Sequence, residues 1–319
     1  MLRSSRRVII LGISLLTMAF LISVPGIHAA KTYRVALIVK NLVNPFWNYM
    51  KQGAEEKAKE LGIEVVTLAP TKPDNLEEQI RIVEDCVQKR LDAIVLVPVD
   101  SKGIIPAIET ANRAGIPVVT ANTRAFGGKV VTFVGVENYD AAYRVGKFAL
   151  EKIGGKGKVI ILEGVPGAQT AIDRKAGFDA ILKEFPNVKV LTSQPAKFQR
   201  AEGMLVMENL LQRYPDVDLV LAANDEMALG AIEAIDAAGK LGKIMVAGFD
   251  GNKDAMQSIA QGRLAVTFYQ DPQAQAGMAV EAAINYIKGK QVPDRIVVPG
   301  ELVDKNNVDK FLKLYGLVK

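Results

Sequence analysis

Short, strongly apolar runs alternate along the chain with longer segments in which apolar residues recur three and four positions apart. The runs cover residues 34–39, 64–68, 93–97, 117–121, 131–136, 158–162, 188–192, 219–222, 244–248 and 264–269. Most are unbroken Val, Ile, Leu and Ala, which is how strands covered on both faces read. In the segment between the second and third runs, Leu76, Ile80, Val83, Val87 and Leu91 share one stripe. Glu77, Glu78, Arg81, Glu84 and Lys89 occupy the other side, as in an amphipathic helix. Repeated strand-helix-strand units predict α/β architecture, with parallel sheets clad by helices on both faces. Ten such strands are too many for one core, so the pattern predicts two doubly wound parallel-sheet lobes. No Pro/Gly/Ser-rich tether separates them. The break falls near Val136-Glu137-Asn138, where a buried run gives way to the helical "YDAAYRVGKFALEKI". A short break of this kind predicts a multi-strand hinge of crossing strands.

The first residues follow a different pattern. Arg3, Arg6 and Arg7 precede an apolar run over residues 8–24, and Ile27-His28-Ala29-Ala30 supplies small residues at its end. This reads as a secretory signal peptide over residues 1–29, cut after Ala29 or Ala30, and predicts an exported protein of the periplasm or extracytoplasmic space. The alternative is a retained membrane anchor, because the run is nearly long enough to span a bilayer. Ser5-Arg6-Arg7 has only a faint likeness to a twin-arginine signal.

Export changes the charge. The leader holds three arginines and no acid, so Lys and Arg fall from 40 to 37 against 35 Asp and Glu, and the net charge falls from +5 to +2. A basic whole-chain balance therefore gives no argument for nucleic acid. The only histidine, His28, also lies in the leader. The mature chain thus lacks an imidazole for a Ser-His or Cys-His pair, for a general base or for a histidine-ligated metal. The single cysteine, Cys86, excludes an intramolecular disulfide, a zinc cluster and a lipid-bearing N-terminal cysteine. At the edge of a helical stripe, it is expected to be a half-buried small apolar residue. The 290 residues left when 29 are taken from 319 suit two domains at roughly 100 to 200 residues each.

In open α/β sheets ligands sit beyond the carboxyl ends of the strands. The first strand is followed by "KNLVNPFW", with Lys40, Asn44, Phe46 and Trp47; the fourth by Asn122-Thr123-Arg124; the sixth by "EGVPGAQTAIDR", ending in Arg174. The later strands lead to Phe198 in "SQPAKFQR", Asn224-Asp225-Glu226, Phe249-Asp250-Gly251 and Gln270-Asp271-Pro272. Planar hydrogen-bonding groups gathered with aromatic rings suit a neutral polyhydroxylated ligand. A carboxylate, amide or guanidinium can hold two neighbouring hydroxyls while an aromatic face covers the C–H patches of a ring. Each residue also has a plainer role. Asn44 before Pro45 fits an N-cap, Asn224, Asp225 and Asp250 can cap the helices after them, Phe46 and Trp47 can be core, and Arg174 can be a solvated surface arginine. Phosphate readings fail: no GxxxxGK[ST] loop occurs, no GxGxxG follows the first strand, and "GGKGK" at residues 154–158 precedes a strand and reads as a turn.

With "NPFW", "SQPAKFQR", "ANDEMALGA", "VAGFDG" and "TFYQDP" in place, the chain beyond residue 31 resembles the type I periplasmic sugar-binding proteins of ABC importers, most closely the ribose-binding group. That resemblance implies a sugar held between two lobes. In the first lobe it assigns ligand contacts to Asn44, Phe46 and Trp47. In the second it assigns Arg174, Phe198, Asn224, Phe249 and Asp250, with Gln270 at a hinge crossing. The departures are all in the first lobe. Lys40 stands where ribose binders carry a small hydroxyl residue, Val97 replaces an asparagine, and Asn122-Thr123 replaces an Asp-Arg pair. The loss of that pair argues against ribose itself. A lysine at position 40 resembles relatives that take rhamnose-type sugars or a furanosyl autoinducer, so a different sugar or polyol is expected. The resemblance also implies discontinuous lobes: residues 30–136 plus about 271–299, and 137–270 plus about 300–319.

The expectation is therefore a monomeric, non-enzymatic receptor with no cofactor and no metal, delivering a monosaccharide or polyol to the membrane subunits of an ABC importer. A chemoreceptor or other signalling partner is the alternative recipient. A carbohydrate-active enzyme would need Asp250 with Asp225 or Glu226 as an acid-base pair, and nothing in the spacing fixes one. A DNA-binding sugar sensor would need a helix-turn-helix where this chain carries a leader.

Overall fold

The computed structural model describes residues 32–318, so the leader expected over residues 1–29 lies outside the described residues. The first half runs β1 (Arg34–Ile38), α1 (Pro45–Leu61), β2 (Glu64–Leu68), α2 (Leu76–Gln88), β3 (Ala93–Leu96), α3 (Ile105–Arg113), β4 (Val118–Ala121) and β5 (Val130–Gly135). The second runs α4 (Asn138–Lys152), β6 (Lys156–Glu163), α5 (Gln169–Leu182), β7 (Asn187–Pro195), α6 (Arg200–Arg213), β8 (Leu219–Ala222), α7 (Asp225–Ala237), β9 (Met245–Ala247), α8 (Lys253–Ala260) and β10 (Val266–Tyr269). The chain ends with α9 (Pro272–Ile287), β11 (Arg295–Val297), β12 (Glu301–Asp304) and α10 (Val308–Leu314).

These strands form two six-stranded sheets, ordered β11-β5-β4-β3-β1-β2 and β12-β10-β9-β8-β6-β7. All ten apolar runs are strands, and the neighbours among them pair in parallel. The sequence pattern missed β11 and β12. β11 joins β5 in parallel, Arg295 opposite Phe133. β12 runs antiparallel to β10, Val266 opposite Asp304. The chain thus passes between the sheets three times: after β5, between β10 and α9, and between β11 and β12.

Alternation along the strands builds the core. Val35 and Leu37 of β1 face a cluster that includes Met50 of α1 and Val280 of α9. Ala36 and Ile38 point the other way, toward Val83 of α2 and Ile108 of α3. The central strands β3 and β8 are buried at every position, whereas the edge strands β2 and β7 are partly exposed. Cys86 lies within the α2–α3 layer and is fully buried rather than half-buried. The two-residue alternation in the sheet leaves no polar face on this side of β1, so the helix stripe above it closes completely over the thiol.

The start of α1 shows how sequence places a site. Asn44 caps the helix by accepting from the Phe46 amide (2.9 Å), and Pro45 supplies the fixed first turn. Asn41 holds the loop before it, its Oδ1 accepting from the amides of Val43 (3.1 Å) and Asn44 (3.0 Å). Phe46 and Trp47 are thereby fixed in the first turn, just past the carboxyl end of β1.

Candidate functional site

The carboxyl ends of both sheets border a cleft of about 350 Å³. Ten of the eleven residues singled out in the sequence line it. Lys40, Asn44, Phe46, Trp47 and Asn122 come from the first lobe, Arg174, Phe198, Asn224 and Asp250 from the second, and Gln270 lies at the crossing into α9. The eleventh, Phe249, is fully buried and stands behind the wall: the Arg174 guanidinium stacks on its ring at 3.7 Å.

Arg174 organises the second lobe's side. It is 3% exposed, a buried cation rather than a surface one. Its Nε donates to Asn138 Oδ1 (2.9 Å), and one terminal nitrogen donates to the Ala223 carbonyl (2.7 Å) and to Asp250 Oδ1 (3.1 Å). Burial depresses its affinity for a proton, and Asp250 offsets that effect. The Asp250 carboxyl is pushed up to about 6, mainly by burial, with Arg174 pulling it down. Gln270 Nε2 donates to the same Asp250 oxygen (2.7 Å), and its Oε1 accepts from Asn122 Nδ2 (3.1 Å). One hydrogen-bonded chain therefore runs from the first lobe through the crossing to the guanidinium.

Lys40 dominates the other side. It is 2% exposed, and its Nζ lies 5.8 Å from the centres of the Trp47 and Phe198 rings, one in each lobe. The ammonium makes no hydrogen bond or ion pair with any described residue. Burial lowers its pKa to about 8. Phe46 and Trp47 meet edge to face at 5.0 Å. Trp47 Nε1 and Thr170 Oγ1 are both buried and find no partner among the described residues. Buried polar atoms rarely stay unpaired, so the cleft offers binding capacity that the protein itself does not use.

Backbone strain gathers here too. Asp74, Asn122, Phe198 and Asp250 line the cleft with φ of 57°, 59°, 59° and 123°. Positive φ is uncommon outside glycine and collects at functional sites.

The acidic neighbours of Asp250 are occupied. Asp225 is fully buried and accepts from the amides of Gly251 (2.7 Å) and Asn252 (2.8 Å) and from Thr267 Oγ1 (2.6 Å). Its carboxyl is pushed well above the usual range, first by burial and then by Asp250. Glu226 pairs with Arg200 at 3.0 Å. Asp225 braces the loop that carries Asp250, and the expected capping by Asp250 itself is absent. Asn224 does cap α7, accepting from Met227 N (3.0 Å), while its Nδ2 donates to the Phe198 carbonyl (3.3 Å).

Residues 35–291 match the model of a periplasmic binding protein domain. The ribose import binding protein of Bacillus subtilis is 42% identical over 272 residues, 85% of this chain and 87% of its own length. The chain belongs to the periplasmic binding protein family. Among solved structures, an ABC transporter solute-binding protein of Actinobacillus succinogenes with bound D-allose matches with a TM-score of 0.83 and 35% identity, covering 88% of this chain and all of its own. A Bacillus halodurans solute-binding protein with bound myo-inositol matches with a TM-score of 0.82 and 32% identity, covering 88% and 97%.

Three lining residues of this periplasmic binding protein escaped the sequence reading: Asn41, Asp74 and Thr170. A signal existed for Asp74, since it follows β2 at the same strand end that yielded the other candidates. Thr170 lies four residues before Arg174, one helical turn away on α5, so the two share a face. Asn41 sits within the stretch after β1 already marked by its neighbours.

Proposed function

We propose that the protein is an exported, non-enzymatic receptor that closes on a monosaccharide or related polyol and delivers it to the membrane subunits of an ABC importer. The lobes are taken as residues 30–136 plus about 271–299, and 137–270 plus about 300–319, a division supported by the three passages between the sheets. One observation carries the reading: unpaired polar atoms, planar hydrogen-bonding groups and aromatic faces from both lobes converge on one small cleft.

The charges support a neutral ligand. Two cations, Lys40 and Arg174, face two carboxylates, Asp74 and Asp250, so a charged ligand would leave one sign uncompensated. Ring-shaped polyols bound to the related structures agree with this class. Lys40 and Asn122 argue for a sugar other than ribose. Catalysis by Asp225 or Glu226 is disfavoured because both carboxylates are already engaged. No helix among the described residues is long and apolar enough to cross a membrane, and we assign the working form as a monomer.

The test is a melting and Trp47 emission screen of the mature protein against pentoses, hexoses, deoxysugars and polyols. A ligand that binds only the folded state raises the melting temperature, and one that closes the cleft changes the emission of the sole tryptophan. A panel with no shift sinks the reading. Recovery of a chemically altered sugar would overturn the receptor in favour of an enzyme.

A further inference from the structure

The Lys40 ammonium is buried and without a hydrogen-bonding partner, yet it faces a carboxylate anchored in both lobes. Asp74 follows β2, and its amide donates to the Lys40 carbonyl (3.2 Å), tying the two loops together. Its Oδ1 accepts from Asn41 Nδ2 (3.1 Å) in the same lobe, while Oδ2 accepts from Gln199 Nε2 (3.3 Å) in the other. The backbone there is left-handed, φ 57°, a conformation that Asp tolerates better than most residues. Resting on the polyol-receptor reading, we propose that Asp74 is a specificity-determining positioning residue: it ties down the loop that carries Lys40, keeps the ammonium charged for ligand recognition, and accepts the cross-lobe hydrogen bond that shuts the cleft beside it. Recognition and closure thus share one carboxylate.

The surroundings of Lys40 leave this role to Asp74. The charged groups that face it are Asp74, Arg174 and Asp250, and the flanking rings are Trp47 and Phe198. Arg174 repels the ammonium, and Asp250 is committed to Arg174 and Gln270. Asp74 is the strongest of the influences that favour the charged form, against a burial effect that brings Lys40 down to about 8. Burial raises the Asp74 carboxyl, and Lys40, Asn41 and Gln199 pull it back. An ammonium has donors only, so the ligand presents an acceptor oxygen at Lys40.

The sign of the pH dependence follows. Lys40 serves the ligand as a cation, so affinity falls as pH rises through its pKa. Removing the Asp74 charge lowers that pKa further, and the fall moves to lower pH.

The experiment is calorimetric affinity for the best polyol of the panel between pH 6 and 10, with a parallel pH titration of Trp47 emission in the ligand-free protein. In the wild type, affinity is highest near pH 7 and falls on the alkaline side with a midpoint near 8. In Asp74→Asn the midpoint drops by about one pH unit, so affinity falls about twofold at pH 7 and about tenfold at pH 9. Lys40→Met removes the alkaline fall. Gln199→Ala weakens binding about threefold without moving the midpoint. The Trp47 midpoint moves with Asp74→Asn and vanishes with Lys40→Met. Asp74→Ser replaces Asp74→Asn if the latter does not fold. A wild-type midpoint in the Asp74 variant, by affinity or by Trp47 emission, overturns the proposal, as does an alkaline fall that survives Lys40→Met. If no polyol binds, the receptor reading falls, and the Trp47 titration alone decides whether Asp74 holds Lys40.

Discussion

Arg174 and Asp250 form the contact with the largest consequence for a single side chain. Both are nearly inaccessible, and each is the other's main compensation. Arg174→Met leaves Asp250 buried beside Asp225 without its cation, and removing one partner of a buried pair costs roughly 3–5 kcal/mol. The melting temperature should drop, and polyol binding should disappear from calorimetry. Asp250→Asn keeps the shape and one acceptor, so it should melt closer to the wild type while still failing to bind. The same carboxyl sets an acid limit. With its pKa pushed from 3.8 to about 6, the folded chain holds a proton there that the unfolded chain has lost. Its contribution to stability therefore increases as pH falls between those values. Ligand affinity should move the opposite way, falling below about pH 6 as the acceptor is protonated. Melting and calorimetry between pH 4 and 7 should show these opposed slopes in the wild type, and the melting slope should flatten in Asp250→Asn. Parallel slopes would count against the ionised carboxylate as a ligand contact.

At the scale of elements, the packing of α1 explains why the returning helix α9 belongs to the first lobe. A Cβ on Gly53 would lie 2.2 Å from the Gln273 carbonyl oxygen of α9, so the two helices touch backbone to backbone there. Gly53→Ala forces them apart and should cost about 1–3 kcal/mol, read as an earlier urea midpoint. The first turn of α1 allows the two roles of Asn44 to be separated. Serine caps about as well as asparagine, so Asn44→Ser should leave the melting temperature within a degree or two while weakening the ligand; equal affinity would reduce Asn44 to a cap. Much of this was legible in sequence because strands buried on both faces write themselves as apolar runs. β11 and β12 were not, because they have only three and four residues and draw their stability from strands outside their own neighbourhood, Arg295 opposite Phe133 and Asp304 opposite Val266. The burial of Arg174 was equally hidden. α5 also turns Gln169 and Thr170 inward, so the face that meets the cleft carries polar residues and looks like a solvated one. Asp74 reaches Lys40 only through the pairing of β2 with β1, a neighbour relation that spacing along the chain does not express.

For the molecule as a whole, function depends on the balance between open and closed lobes, and a further cross-lobe contact bears on that balance away from the ligand. Ser101, after β3, donates its amide to the Gly167 carbonyl after β6 (3.0 Å), and its Oγ accepts from the Gln169 amide (3.0 Å). These bonds join the lobes of the two sheets, so opening the cleft there would break them. Gly167 permits them twice over. Its φ is 87°, and a Cβ there would lie 2.0 Å from Asp100 Oδ2 across the interface. Gly167→Ala is therefore a wedge against closure. Apparent affinity scales with the fraction of molecules able to close, so a wedge that cuts this fraction tenfold, about 1.4 kcal/mol, weakens every ligand by the same factor. The loss should be independent of which sugar is tested and should appear as faster dissociation. Small-angle scattering of the saturated variant should still show the compact form. Ser101→Ala, which removes one bond without adding bulk, should lose less, about threefold. A variant whose loss differed from ligand to ligand would place Gly167 in recognition rather than in closure.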